Sequence, residues 1–253
     1  MKDVQKQTDG RNIYLNQVGI KDFVLPMEFR NKKGDWISTA ATVSLFVGLD
    51  AKQKGTHMSR FVDIIQQNRR MDLNHVKKIL EETKEKLESD SAFVRMNFEY
   101  FIEKEAPVSG IASYFNVGIE YSASLAAGKF EFDMKVITPV TTLCPCSKEI
   151  SDYGAHNQRA DVSINIKMKK FLWIEDLVKI AEESASAPVY SLLKRPDEKY
   201  VTELAYDNPR FVEDVCREVK LRIIDLEEVE NFCIEVESRE SIHNHSAYAM
   251  VVG

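Results

Sequence analysis

The sequence predicts an α+β fold in which one pattern of strands and helices is stated twice. Three observations carry that prediction. Alternating and helically spaced apolar residues succeed one another as strand, strand, helix, helix, strand, strand. The same order recurs after a break near residues 125–128. Each group of four strands is sized for an antiparallel sheet with its helix pair laid on one face. The halves share no visible sequence identity, so the repeat is one of pattern. The boundaries that follow are a flexible segment over residues 1–20, a first module over 21–126 and a second over 127–253, packed as one unit.

The first dozen residues are polar. From Phe23 to Phe29 the chain reads as a strand, and Asn31-Lys32-Lys33-Gly34-Asp35 supplies a hairpin turn. A second strand covers 36–49, with Ile37, Val43, Leu45 and Val47. Residues 58–67 place Phe61, Ile64 and Ile65 on one helical face, and 73–87 do the same with Val76, Leu80 and Leu87. Asp72 or Asn74 is suited to cap the second helix, and Arg69-Arg70-Met71 forms the turn between the pair. Strands over 93–101 and 110–124 close the first pattern. In the second, 129–138 form a strand that ends at Pro139, and 158–169 another with Ala160, Val162, Ile164 and Ile166 on one face. Helices begin near Trp173-Ile174, after Lys194-Arg195-Pro196, and at Asn208-Pro209, where asparagine caps and proline takes the first helical position. Strands over 232–238 and 246–252 complete the pattern.

With 44% apolar and 29% charged residues in 253, the composition is that of a globular protein with ample surface to bury. A net charge of −6 argues against general nucleic-acid binding, while a local basic pocket can still serve one phosphorylated ligand. A leader pattern and a run of membrane-spanning length are both missing, so a cytoplasmic protein without membrane association is expected. Four cysteines in this length do not make a disulfide framework, and in a reducing compartment they are thiols able to ligate or attack.

Cys144-Pro145-Cys146, with Ser147 and Lys148 beside it, follows a strand and is expected on a loop. It reads either as two half-buried loop cysteines or as a metal ligand or reactive thiolate at Cys144, favoured by the lysine. A redox pair is the weaker option, because the usual dithiol motif has two intervening residues. Cys216 and Cys233 have apolar neighbours and belong in the core. His156 opens a strand after Gly154 and gains meaning only from company. His243-Asn244-His245 connects the last two strands near Glu240. In an extended chain its imidazoles face the same way and suit one ligand and one proton shuttle, although a solvated hairpin would look alike. Glu198 and Glu213 open helices, where the dipole favours acids whatever their function. Glu213 stands out for its apolar neighbours, since a semi-buried carboxylate can accept from the N–H and amino edge of a guanine-type base. Gly55-Thr56-His57-Met58-Ser59-Arg60 combines backbone N–H groups, a hydroxyl and a guanidinium at a helix start, a weak phosphate signal.

Together, Leu143-Cys144-Pro145-Cys146-Ser147-Lys148, Gly154-Ala155-His156-Asn157-Gln158-Arg159, Asn208-Pro209-Arg210-Phe211-Val212-Glu213-Asp214 and Ser238-Arg239-Glu240-Ser241-Ile242-His243-Asn244-His245 resemble the prokaryotic type IB GTP cyclohydrolases. The Gly55 to Arg60 stretch is similar to theirs as well, and the resemblance spans most of the chain. It implies tandem tunnelling-fold modules, each an antiparallel four-stranded sheet with two helices between its second and third strands. It also implies a homotetramer with active sites at subunit interfaces. The implied reaction converts GTP and water to 7,8-dihydroneopterin triphosphate and formate, the first committed step towards tetrahydrofolate, with a divalent metal (zinc, manganese or iron(II)). On this chain the resemblance makes Cys144 the active-site cysteine and Glu213 the purine anchor, and sets His156, Glu198 and His243 at metal-site or proton-transfer positions. The mechanism expected from it takes Cys144, Glu198 and His243 as the metal set, with Cys144, His156 and His245 catalytic and His156 or His245 moving the protons. His156 and His243 are interchangeable between metal-site and proton-transfer roles at this level. Arg60, Lys148 and Arg159 are candidates for the triphosphate, because an acidic protein needs a local basic cluster to hold it. Cys146 receives no role. Three alternatives stay open: an archaeal-type cyclohydrolase giving a cyclic phosphate, a dinucleotide-dependent nitrile reductase of the same fold, and a non-catalytic metal-binding oligomer.

Overall fold

The computed structural model describes residues 5 and 7–253, so part of the segment expected to be flexible lies outside the described residues. The chain divides into two compact units. One holds the chain through Glu99 with Glu120–Met134, and the other holds Tyr100–Ile119 with Lys135–Gly253.

In the first unit, β1 (Leu15–Arg30) and β2 (Trp36–Leu49) form an antiparallel hairpin around the Asn31 to Asp35 turn. The helices α1 (Met58–Gln67) and α2 (Leu73–Lys86) follow, with β3 (Arg70–Met71) between them pairing parallel to β1. Asp72 caps α2, its carboxylate accepting from the His75 backbone N–H at 3.0 Å. Three long strands come next: β4 (Ser91–Glu105), β5 (Ala112–Ala126) and β6 (Lys129–Leu143). The strand order is β3-β1-β2-β4-β5-β6. The buried face carries Phe29 stacked on Phe98 at 3.6 Å, with Tyr121 edge-on to Phe98 at 5.2 Å and to Phe132 at 5.1 Å.

Strand β1 begins well before Phe23, and residues 15–20 of the expected flexible segment are strand. The bonds come from pairing with β2, with Val18 opposite Val47 and Ile20 opposite Leu45. A polar, irregular stretch gives no periodic signal of such pairing. Gly19 makes the approach feasible, because a Cβ there would lie 2.0 Å from the Leu45 carbonyl oxygen.

The second unit adds α3 (Pro145–Ile150), β7 (Asn157–Met168), α4 (Ile174–Ser184), β8 (Ala187–Pro188), α5 (Arg195–Asp207), α6 (Val212–Ile223), β9 (Val229–Arg239) and β10 (Ser246–Val252). Its strand order is β4-β5-β6-β7-β9-β10, with β8 paired to β6. Val162, Ile164 and Ile166 of β7 pack inward with Ile234 and Val236 of β9, beneath Leu177 of α4 and Val215 and Val219 of α6, all buried. The pattern of two strands, helices and two strands thus recurs, with α3 and a further long helix added.

Two sequence expectations are corrected here. Strand β6 runs through Pro139 to Leu143 instead of ending at the proline. Proline removes one N–H from a ladder, and beyond it Val140 and Thr141 pair with Pro188 and Ala187 of β8. Helix α6 starts at Val212, not at Asn208-Pro209. The Asn208 side chain is committed elsewhere, donating to the Ala185 carbonyl at 2.8 Å. The Phe211 N–H is satisfied by the Asp214 carboxylate at 3.0 Å.

Candidate active site

The end of β6 is fixed from two sides. The Leu143 N–H donates to the Ser186 hydroxyl and its carbonyl accepts from the Arg210 N–H, both at 3.0 Å. Cys144 follows as the residue capping α3, with Pro145 at the first helical position, so the expected loop is a short helix. Ser147 then ties this turn to the start of β7. Its hydroxyl donates to the Cys144 carbonyl at 3.1 Å and accepts from the His156 N–H at 3.2 Å. The Cys144 N–H donates directly to the His156 carbonyl at 3.1 Å. Gly154, at φ +124°, turns the chain into this position in a conformation that side chains disfavour.

Register brings in the rest. Strands β7 and β9 are antiparallel with Ala160 opposite Ser238. Continuing that register past the ladder points the residues before Ala160 towards those after Ser238. His156 and Gln158 accordingly meet Glu240 and Ser241. The segment joining β9 to β10 is bent, not extended, yet the His243 and His245 rings stack at 5.1 Å with 15° between their planes.

These elements surround a cavity of about 300 Å³ whose walls include Cys144, His156, Glu213, His243 and His245. Five of the residues singled out from sequence are thus brought together. Glu213 sits on the first turn of α6 and is exposed, not semi-buried as its apolar neighbours suggested. Those neighbours, Val212, Val215 and Cys216, are the ones that are buried.

The remaining candidates stand apart from the cavity wall. Glu198 is exposed on the first turn of α5. Beside it, the buried Asp197 carboxylate accepts from the Val108 and Ser109 N–H groups, the Ser109 hydroxyl and the Lys194 N–H, each within 2.8 Å. Burial pushes the Asp197 carboxyl up, but these hydrogen bonds outweigh it and hold the group well below the usual carboxylate range. The Lys148 ammonium donates to the Tyr206 carbonyl and lies 4.3 Å from the Tyr206 ring centre. Arg159 is exposed on β7. Arg60 belongs to the first unit, where its guanidinium donates to the Lys86 carbonyl at 2.7 Å.

Sequence reasoning passed over Gln158, Arg210 and Glu240, which line the same cavity. All three lie inside the motifs quoted above, but only the β7–β9 register shows that Gln158 and Glu240 meet. A larger groove of about 670 Å³ in the first unit, lined by residues such as Arg69, Arg70 and Lys78, contains no thiol and none of the candidate residues.

Thiol, imidazole and carboxylate donors suit a divalent ion of borderline softness. Among the described residues, however, no three His, Cys, Asp or Glu side chains are grouped closely enough to hold one. The donor chemistry therefore fits a metal, while the ligand set is not drawn together in the single chain.

A doubled module with a thiol–imidazole–carboxylate cavity at its strand ends defines a two-module tunnelling-fold enzyme. Solved structures of similar fold include a uricase from Bacillus fastidious, with a TM-score of 0.57 at 8% identity, covering 97% of this chain and 93% of that one. The uricase from Arthrobacter globiformis gives 0.54 at 9% identity, with 94% and 92% covered. At such identities the likeness is one of fold alone. The family model described as type I GTP cyclohydrolase folE2 matches residues 1–249. The GTP cyclohydrolase FolE2 of Geotalea uraniireducens is 48% identical over 252 residues, covering 99% of this chain and 93% of that protein. That of Dictyoglomus thermophilum is 49% identical over 251 residues, covering 99% and 97%. The chain belongs to the type I GTP cyclohydrolase FolE2 family.

Proposed function

We propose that this protein converts GTP and water to formate and 7,8-dihydroneopterin triphosphate, a step of tetrahydrofolate biosynthesis. The observation that carries the proposal is the meeting of Cys144, His156, Glu213 and the His243–His245 pair around one cavity in a chain of this family. In the overall chemistry, water adds at C8 of the purine and the imidazole ring opens. A second water releases formate, and one water is lost when the rearranged sugar closes the new ring. Glu213 anchors the base by accepting from its N1–H and 2-amino group. His156 exchanges protons at N7 and His245 at the ribose ring oxygen. The family points to a divalent metal, which Cys144 and His243, with Glu198, would hold. Such an ion supplies Lewis-acid activation of water.

Arg60, Lys148 and Arg159 remain the proposed triphosphate partners, and Arg210 joins them because it lines the cavity, its guanidinium held by Asn208 at 3.1 Å and Glu218 at 3.4 Å. Glu213, His243 and His245 are exposed in the single chain. That openness supports a homotetramer in which a second copy completes each site. Among the described residues no helix is long and apolar enough to cross a membrane.

The test is to incubate metal-free protein with GTP and zinc, manganese or iron(II) in turn, following formate release and pterin fluorescence. Formation of both products with at least one metal is expected. Absence of formate with every metal would overturn the proposal, and a cyclic phosphate detected by mass spectrometry would replace it with the archaeal-type reaction.

A further inference from the structure

We propose that Gln158 is a positioning residue that sets which nitrogen of His156 carries the proton. The His156 Nδ1 lies 2.9 Å from the Gln158 side-chain oxygen. The other end of the same amide, Nε2, lies 3.4 Å from a Glu240 carboxylate oxygen and 3.4 Å from the Thr142 hydroxyl. Glu240 is itself held, accepting from the Ser238 hydroxyl at 3.2 Å, and Ser238 meets Thr142 at 3.4 Å.

The orientation of the amide follows from donor and acceptor chemistry. An ionised carboxylate can only accept, so the NH₂ end of Gln158 must face Glu240. A flipped amide would set its oxygen against the carboxylate and leave two acceptors in contact. The oxygen therefore faces His156, and an amide oxygen can only accept. Nδ1 must then carry the hydrogen. Ser241, whose hydroxyl lies 3.4 Å from the same nitrogen, can accept from it as well. In the neutral ring this leaves Nε2 as the lone-pair nitrogen, the one able to take a proton or bind an ion. The chain Glu240–Gln158–His156 thus does the work that a carboxylate or carbonyl partner does for catalytic and metal-binding histidines elsewhere. It uses an amide as the intermediate, so no second negative charge is brought beside the imidazole.

The inference rests on the activity proposed above only for its kinetic readout. In Gln158→Leu, which keeps the approximate length and removes both polar ends, kcat for formate release should fall about 10- to 100-fold. The KM for GTP should change by less than about threefold, because Gln158 is not assigned a contact with substrate. A second measurement does not depend on turnover. In full-length, zinc-loaded protein labelled with [15N]histidine, two-bond 15N–1H spectra report the His156 tautomer, with His156→Asn used to assign its signals. Wild type should show the proton on Nδ1, and Gln158→Leu should lose that single state. If the leucine variant does not fold, Gln158→Asn, too short to reach His156 and Glu240 together, should show the same two changes. Turnover within threefold of wild type, or an unchanged tautomer, would overturn the role of Gln158. Should wild type itself release no formate from GTP, the proposed function fails, while the spectra still decide the role of Gln158.

Discussion

Lys104 and Glu182 form a buried ion pair in the second unit whose removal, one partner at a time or together, separates two views of what holds it. Their side chains are 15% and 17% exposed. The Lys104 ammonium donates to Glu182 and, at 2.7 Å, to the Val189 carbonyl. It also lies 4.0 Å from the Tyr190 ring centre and 4.8 Å from that of Phe115. Burial pushes the lysine down from its ordinary 10.5, against the pull of Glu182. Burial likewise pushes the Glu182 carboxyl up from 4.5, against the pull of Lys104. A carboxyl raised in the folded state makes the fold less stable as pH rises through the window above 4.5. An ammonium lowered in the folded state makes it less stable as pH falls through the window below 10.5. Both signs say that charging these groups inside costs more than their attraction returns.

The consequence is non-additive. Glu182→Leu strands a buried ammonium, at a cost of about 3–5 kcal/mol. The Val189 carbonyl and the two rings offset part of it, about 0.5–2 kcal/mol for the rings. A net loss of about 3 kcal/mol corresponds to roughly 6–12 °C in melting temperature. Lys104→Met strands the carboxylate instead, and its loss should shrink as pH is lowered and Glu182 takes up a proton. The double variant Lys104→Met, Glu182→Leu should recover to within about 1 kcal/mol of wild type, because an apolar pair of similar volume carries no desolvation penalty. Differential scanning calorimetry at pH 7 and pH 5 on the four proteins decides it. A double variant that melts as low as the worse single, or singles that melt like wild type, would refute this account.

Three further outcomes are expected. Cys144→Ala should abolish formate release while circular dichroism and oligomer size stay as in wild type, and normal turnover in this variant would remove the thiolate from the mechanism. Glu213→Gln should weaken GTP by about 1.5–3 kcal/mol, the worth of a hydrogen bond to a charged group and roughly 10- to 150-fold in dissociation constant. Isothermal titration showing unchanged affinity would place the purine anchor elsewhere. Asp197, depressed by its hydrogen bonds, contributes stability that is present above its ordinary 3.8 and lost as pH falls through its lower folded value. Asp197→Asn should therefore melt lower at pH 7 yet lose less further stability than wild type below pH 3.8, and identical acid profiles would count against the clamp.

Much of the fold was legible because apolar spacing is a direct signal. Strand β2 falls at Trp36–Leu49 and helix α1 at Met58–Gln67, as their periodicity requires. The start of β1 was not legible, since residues 15–20 owe their extended form to a partner strand and not to their own pattern. The start of α6 misleads because Asn208-Pro209 has the chemistry of a helix cap, while the asparagine amide serves carbonyls distant in the chain. Around the cavity, Cys144, His243 and His245 stand out by residue type and spacing, His156 only in their company and Glu213 by its apolar neighbours. Gln158 and Glu240 do not, because a glutamine or glutamate at a strand end has no distinguishing composition. Their partnership exists only once Ala160 is set opposite Ser238. Glu213 opens a helix as its sequence suggests, but its exposure was not legible, because helical periodicity can turn apolar neighbours away from the residue they flank in sequence.

The single hydroxyl of Ser147 has a consequence for how this region can vary. It holds the Cys144 carbonyl on one side and the His156 N–H on the other. The backbones of Cys144 and His156 are thereby held together whatever the intervening chain does. That chain bulges into solvent, with Ile150 84% and Tyr153 101% exposed. Spacing in sequence and spacing in space are decoupled there, so insertions or deletions around Asp152 and Tyr153 should alter the outline of the surface and leave Cys144 and His156 at their set separation. The stretch is a natural place to attach a probe or vary length, whereas a change at Ser147 would leave the direct bond from the Cys144 N–H to the His156 carbonyl as the remaining tie.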